Sequence, residues 1–252
     1  MTSQELDDHA VARTAARRTG EALLRLRAER GDGDPGALRD EGDRVAQGVL
    51  ADFLGQARPA DIVFSEEAPD DERRLGADRV WIIDPLDGTR EYGELDRSDW
   101  AVHVALWETG RLVAGAVALP ALGMVLTADN PPALSHLRTP SRILVSRTRP
   151  PAEAVRLAEV LPGELVPMGS AGAKVAAVVR GEAEAYVHAG GQYQWDSAAP
   201  IAVARAAGLH TSRLDGSPLT YDTAERSLPD LVVCRQEIAG RVMNALNAAH
   251  AV

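Results

Sequence analysis

The chain has 252 residues, a mass of 26.8 kDa, a formal net charge of −10 and a pI near 5.1. That acidity argues against binding polymeric DNA or RNA through a general basic surface, and a single cysteine, Cys234, excludes an intrachain disulfide or a thiol-rich metal centre. Met1 to Ala10 is polar and acidic without the apolar core of a signal peptide, and no apolar run approaches the ~20 residues of a membrane span. The expectation is a soluble cytoplasmic protein acting on a small molecule, built as one large domain or two lobes.

In chain order, Ser3 to Arg30 reads as one long helix with Leu6, Ala10, Ala15, Leu23 and Leu26 among its apolar positions, stopped at Gly31. After a Gly/Asp/Pro loop, a second helix is predicted from Asp43 to Gln56, with Asp43 in or near its first turn. Asp61-Ile62-Val63-Phe64-Ser65-Glu66-Glu67 is a short strand ending in two acids, followed by a charged surface loop over Pro69 to Asp78. Val80-Trp81-Ile82-Ile83 is a buried strand, and Asp84-Pro85-Leu86-Asp87-Gly88-Thr89 stops it. Runs at Ser98–Trp107, Leu112–Leu119 and Gly123–Thr127 add three strands, the first two joined by a hairpin. This half is read as helices on a largely antiparallel sheet, and Asn130-Pro131-Pro132 marks the boundary between a lobe of residues 1–131 and one of 132–252. The second lobe alternates: strand 142–146, helix 151–160, strand 164–167, helix 170–180, strand 184–188, helix 196–207, strand 230–234 and helix 236–248, a mixed α/β layer. Cys234 closes an apolar strand and reads as a core residue.

The chemistry concentrates at strand ends. Asp84 and Asp87 are three apart on a segment that Pro85 bends, so both carboxylates turn toward one point, and a hard cation such as Mg²⁺ prefers those oxygens. Gly88-Thr89 opens a helical turn whose free N–H groups offer an anion seat beside the cation. Glu66 stands at an equivalent strand end, and Asp196, in Gln194-Trp195-Asp196-Ser197-Ala198-Ala199-Pro200, reads as the N-cap of an Ala-rich helix packed under the same site. Glu66, Asp84, Asp87 and Asp196, with the Leu86 carbonyl, form a candidate seat for two divalent cations ~4 Å apart, suited to phosphoryl transfer. Thr89 would orient the attacking water and Asp43, folded in from the second helix, would take its proton.

Glu66-Glu67, the hexad Asp84 to Thr89, and Trp195-Asp196-Ser197-Ala198-Ala199 together resemble the three motifs of the inositol monophosphatase superfamily of Mg²⁺-dependent, Li⁺-sensitive phosphatases, over essentially the whole chain. The resemblance implies a layered α/β sandwich with the site between the lobes, two or three Mg²⁺ ions, Glu66 rather than Glu67 as ligand, and Asp43 as the partner of Thr89. It allows a homodimer. Gly88-Thr89-Arg90-Glu91-Tyr92 is similar to the CysQ branch, which hydrolyses the 3′-phosphate of 3′-phosphoadenosine 5′-phosphate. By that resemblance Gly88, Thr89, Arg90, Ser170 and Lys174 contact substrate, with Lys174 reaching a second phosphate. His188 stands where the branch has an arginine, and its protonation near pH 6.5 would favour bisphosphates at lower pH. Inositol 1-phosphate and fructose 1,6-bisphosphate are the alternative substrates. The haloacid-dehalogenase phosphatases share an Asp-Gly-Thr after a strand, but space their acids Asp-x-Asp, whereas two residues separate Asp84 from Asp87. A regulatory protein that had lost catalysis would lack a ligand or Thr89, and none is missing.

Overall fold

The computed structural model describes residues 6–248, and the predicted helix start at Ser3 lies outside them. Helix α1 runs Asp8–Arg30, its first turn capped by the Asp7 side chain, which accepts from Ala10 N at 2.7 Å. Leu6 precedes the helix and is exposed, so it is not one of its core positions. Helix α2 spans Pro35–Ala57, beginning eight residues before the predicted start, because Asp34 caps it and Pro35 fits its first position. Asp43 is therefore interior to α2, and what it offers the site comes from a rigid helix face.

Strands β1 (Ile62–Ser65), β2 (Arg79–Asp87), β3 (Ala101–Glu108), β4 (Arg111–Leu119) and β5 (Met124–Thr127) form one sheet in that order, with β1 parallel to β2 and the rest antiparallel. A short 3₁₀ turn, Glu72–Gly76, interrupts the β1–β2 loop, and the four-residue helix α3 (Thr89–Tyr92) follows β2. The second sheet comprises β6 (Ser141–Ser146), β7 (Gly163–Met168), β8 (Ala185–Tyr193), β9 (His210–Ser212) and β10 (Ser227–Cys234), ordered β7-β6-β8-β10-β9. Its helices are α4 (Ala152–Val160), α5 (Ala171–Val179), α6 (Gln194–Ala206) and α7 (Ala239–Ala248), the last preceded by a 3₁₀ turn at Gln236–Ile238. Strand β9 was absent from the sequence reading because three residues carry too little pattern.

Five layers result. The apolar faces of α1 and α2, including Val11, Leu23, Leu50 and Leu54, pack on Trp81, Ile83, Val102 and Val104 of the first sheet. The sheet's other face (Val80, Ile82, Ala105, Val117) meets α5 and α6, which lie against Tyr186, Leu231 and Val233 of the second sheet. Helices α4 and α7 cover that sheet's far side, where Cys234 is fully buried. The middle layer is thin because its residues are small: a Cβ added at Gly115 of β4 would stand 2.5 Å from Ala202 Cβ and 3.2 Å from the Ala199 carbonyl of α6. Among the described residues no helix is long and apolar enough to cross a membrane.

Candidate active site

Strand periodicity alone would send residues three apart to opposite faces. Asp84 pairs with His103 and Asp87 with Ala101, so β2 spends three steps where β3 spends two; the extra residue at Pro85-Leu86 is a bulge that brings both aspartates to the face carrying α5 and α6. The parallel register of β1, ending Ser65 opposite Ile83, places Glu66 level with Asp84. Asp196 arrives from the other side on α6.

Asp84 is fully buried; its Oδ1 accepts the Leu86 N–H at 3.0 Å and its Oδ2 has no hydrogen-bond partner among the described residues. Burial, then Glu66 and Asp87, push its carboxyl well above the usual range. Glu66 lies at the solvent edge of the cluster, where burial of its carboxyl, then Asp196 and Asp87, push it up to about 7. Burial, then Asp87, do the same to Asp196, also to about 7. Asp87 behaves differently. Burial raises it, but the contact with His103 and donors from Ser170 and Gly172 outweigh burial and hold it at about 2. All three reach the same oxygen: Ser170 Oγ and Gly172 N each donate to Oδ2 at 2.6 Å, and His103 Nε2 lies 3.3 Å away. With Oδ2 so engaged, Oδ1 is the oxygen left for a cation.

His103 is not among the residues that the sequence singles out, where it is one position in an apolar strand. It is directly opposite Asp84, 0% exposed, and its Nδ1 lies 3.2 Å from the Trp195 carbonyl. Asp84, Asp87 and His103 group closely enough to hold an ion. One ring nitrogen faces Asp87 and the other the residue before Asp196, so His103 also spans two acid-bearing segments. Gly172 makes room for it: a Cβ there would lie 1.9 Å from His103 Nε2.

Asp196 is the third residue of α6 rather than its cap. Tyr193 holds the cap position, and Asp196 Oδ2 accepts its backbone N–H at 2.6 Å, so the carboxylate closes the helix start while facing the cluster. Thr89 Oγ1 has two acceptors in reach, the Leu86 carbonyl at 3.0 Å and Asp43 Oδ1 at 3.3 Å. Burial, then Glu67, push Asp43 up to about 6.

The polar residues predicted for substrate are arranged less uniformly. Ser170, with φ 48°, caps α5 while it holds Asp87, and Gly88, with φ 87°, lies against it, since a Cβ there would be 3.1 Å from Ser170 Cβ. Lys174 is buried, and its ammonium donates to the carbonyls of Met168, Gly169 and Ser170 at 3.3, 3.1 and 2.7 Å. Those three bonds use its three protons, so it braces the 168–170 loop in place of reaching out to a phosphate. Arg90 is exposed and pairs with Glu94 at 3.3 Å. Arg147, missed in the sequence, joins Glu91 and Glu94, each at 2.8 Å, and lines the same recess as Arg90, Ser170 and Lys174. His188 is half-buried on β8; burial, then Lys174 and Arg149, push it down to about 4, so the expected charge change near pH 6.5 does not apply.

The four acids come from the residue after β1, from β2 and from α6, and a second cluster shows how differently this chain treats a paired charge. Arg74, 1% exposed, forks onto Asp70 at 2.7 and 3.1 Å, reaches Asp222 at 2.9 Å and the Thr223 carbonyl at 3.0 Å, and lies 4.1 Å over the Phe64 ring. Among the described residues the acidic cluster has no such cation.

Comparison with known proteins identifies the family. Residues 5–249 match the inositol monophosphatase family model. The chain is 51% identical over 248 residues to the 3′-phosphoadenosine 5′-phosphate phosphatase of Mycobacterium leprae, covering 93% of this chain and 92% of that protein. It is 30% identical over 198 residues to the 3′(2′),5′-bisphosphate nucleotidase CysQ of Escherichia coli K12, covering 74% and 80%. The extragenic suppressor protein suhB of Bartonella henselae superposes with a TM-score of 0.77 at 23% identity, covering 97% of this chain and 100% of that one. CysQ of Bacteroides thetaiotaomicron does so with 0.75 at 24% identity, covering 90% and 96%. These likenesses, and the matched family model above all, make the chain a member of the inositol monophosphatase family.

Proposed function

We propose that the chain is a Mg²⁺-dependent phosphatase that removes the 3′-phosphate of 3′-phosphoadenosine 5′-phosphate, releasing adenosine 5′-monophosphate and phosphate, as a cytoplasmic enzyme of nucleotide recycling in sulfate assimilation. The observation that carries the chemistry is the set of converging carboxylates, three of them driven upward by one another and by burial, with Asp84 Oδ2 buried and unpartnered. Buried like charges at this density are stable only when a cation joins them or protons neutralise them. The donor set is predominantly hard oxygen, four carboxylates and a carbonyl against a single imidazole whose Nδ1 is already engaged by the Trp195 carbonyl, which fits Mg²⁺ better than zinc. Glu66, Asp84, the Leu86 carbonyl, Asp87 and Asp196 would hold two or three such ions, which when bound supply Lewis-acid polarisation of the phosphoryl group and an acidified water.

The rest is done by the chain. Thr89 donates to Asp43 and so presents an oxygen lone pair to the attacking water; Asp43, ionised above its pKa of about 6, drains the proton through that hydroxyl. Ser170, Gly172 and His103 fix the Asp87 rotamer, which fixes where its free oxygen points. Gly88, Arg90, Ser170, Lys174 and His188 form the substrate wall, with Lys174 acting through the loop it braces. The sites complete themselves from both halves of the chain, 1–131 and 132–252.

The substrate assignment rests on the names of the relatives at about half identity. Ranking kcat/KM for 3′-phosphoadenosine 5′-phosphate, its sulfated precursor, inositol 1-phosphate and fructose 1,6-bisphosphate tests it. The bisphosphonucleoside should lead, with all activity lost in EDTA and restored by Mg²⁺. A lead for inositol 1-phosphate would overturn the substrate, and EDTA-resistant turnover would overturn the chemistry. Inhibition by Li⁺ is expected from the family.

A further inference from the structure

Ten aromatic side chains of Phe, Trp and Tyr lie within the described residues, and nine are buried or partly buried. The exception is Tyr193, 46% exposed. Its place is specific. It caps α6, and its backbone N–H donates to Asp196 Oδ2 at 2.6 Å, so the ring stands beside the carboxylate cluster. One face stacks on Trp195, with centroids 4.8 Å apart and planes 13° from parallel. Trp195 meets the Phe64 ring edge-on at 5.1 Å, and Phe64 carries the Arg74 guanidinium. The outermost ring is thus held by a buried stack, and its orientation is settled before anything binds. Its other face is open.

The backbone beside it is bare as well. Gly190 and Gly191, with φ 89° and 81°, turn β8 just before Gln192, and a Cβ built on either meets nothing within 4 Å. Positive φ explains why glycine is tolerated there, and the open space around both positions leaves the backbone between His188 and Tyr193 uncovered by any neighbouring side chain. An exposed aromatic face costs hydration with no return inside the protein. Placed next to a phosphate-handling cluster, it offers a flat ligand a surface that is already ordered.

We infer that Tyr193 is a stacking platform for the purine base of the substrate, a specificity-determining contact that the acid cluster cannot supply because it sees only phosphate. This rests on the phosphatase reading above. Stacking of a base on an aromatic side chain is worth ~1–3 kcal/mol by alanine substitution, roughly 5- to 150-fold in affinity.

The test compares wild type, Tyr193→Ala and Tyr193→Phe, each checked for its thermal transition, on 3′-phosphoadenosine 5′-phosphate and on inositol 1-phosphate, which has no base. Tyr193→Ala keeps the backbone bond to Asp196 and should raise KM for the nucleotide about tenfold more than for the inositol ester, with kcat moving less than KM. Tyr193→Phe keeps the ring and should restore the nucleotide KM to within about twofold. Calorimetric titration with adenosine 5′-monophosphate and with ribose 5-phosphate gives the same comparison without turnover: the alanine variant should lose affinity for the first selectively. Equal losses for both ligands, or none for the nucleotide, would overturn the platform. Wild type preferring inositol 1-phosphate would instead overturn the substrate reading, a result visible before any variant is made.

Discussion

Two charge clusters adjoin the Phe64–Trp195 pair, one at Arg74 and one at the Asp84 acids, and they are built on opposite rules. Around Arg74, one cation meets two carboxylates and a carbonyl, with its hydrogen bonds made and Asp222 only 2% exposed. Around Asp84, acids face acids, and the deepest has an oxygen with no partner among the described residues. The first cluster is complete as folded and ties the β1–β2 loop to residues 222–223 across the molecule. The second is incomplete as folded. A protein leaves like charges together at the cost of stability only where something else will neutralise them, so the contrast separates a strut from a site.

The sharpest way to break the contrast is to exchange what each cluster lacks. Asp87→Asn keeps the shape and the acceptor for Ser170 and Gly172 but removes a charge from the proposed cation seat. Phosphate release should be abolished while the circular dichroism spectrum stays that of wild type. Arg74→Met should do the reverse, leaving Asp222 buried and unpaired at a cost of about 3–5 kcal/mol in denaturant unfolding, while protein that remains folded at low temperature still turns over.

Thr89→Ala removes the hydroxyl proposed to link Asp43 to the attacking water and should lower kcat on the order of 10²-fold, with KM little changed. A change confined to KM would show that Thr89 only binds substrate.

The smallest effect is the most diagnostic of the acid cluster. Glu66 and Asp196 titrate near 7 in the folded, metal-free chain, against about 4 when unfolded. Between those values the folded state holds protons that the unfolded state has released, so the contribution of these two groups to metal-free stability is fully present below about 4 and is lost as pH rises through about 7. The Tm of EDTA-treated protein should therefore be higher at about pH 5 than at about pH 8, and Mg²⁺ should raise Tm most at the higher pH, where no protons compete. A metal-independent Tm at both values would remove the basis for calling the cluster a cation seat.

The acids were legible in the sequence because each terminates a strand or opens a helix, and strand ends announce themselves through Pro, Gly and a change of polarity. Both sheets and nearly every helix were legible for the same reason. Asp43 was misplaced because its helix is started by Asp34 and Pro35, inside a stretch rich enough in Gly and Asp to read as loop. His103 was invisible for a deeper cause: its role depends on which β2 residue it faces, and cross-strand register is not written in either strand alone. Once the pairing Asp84–His103 is known, the alternation Ala101, His103, Ala105 assigns it to the acid face at once. Lys174 was read correctly as helical and wrongly as outward, since no pattern tells a lysine whether the carbonyls of the preceding turn will surround it.

The contact between Gly115 and Ala202 lies within the thin middle layer, away from the acids, yet α6 carries Asp196 at one end and presses on β4 at this point. The gap that a cation would span, from Asp84 on one layer to Asp196 on the next, is therefore gauged by the thickness of a glycine hydrogen and an alanine methyl, as a shim sets the jaws of a caliper. A single methyl at residue 115 would act as a thicker shim, tilting α6 outward and opening the jaws. Asp196 would then sit too far from Asp84 for a small ion to touch both, although every residue that meets the ion would be unchanged.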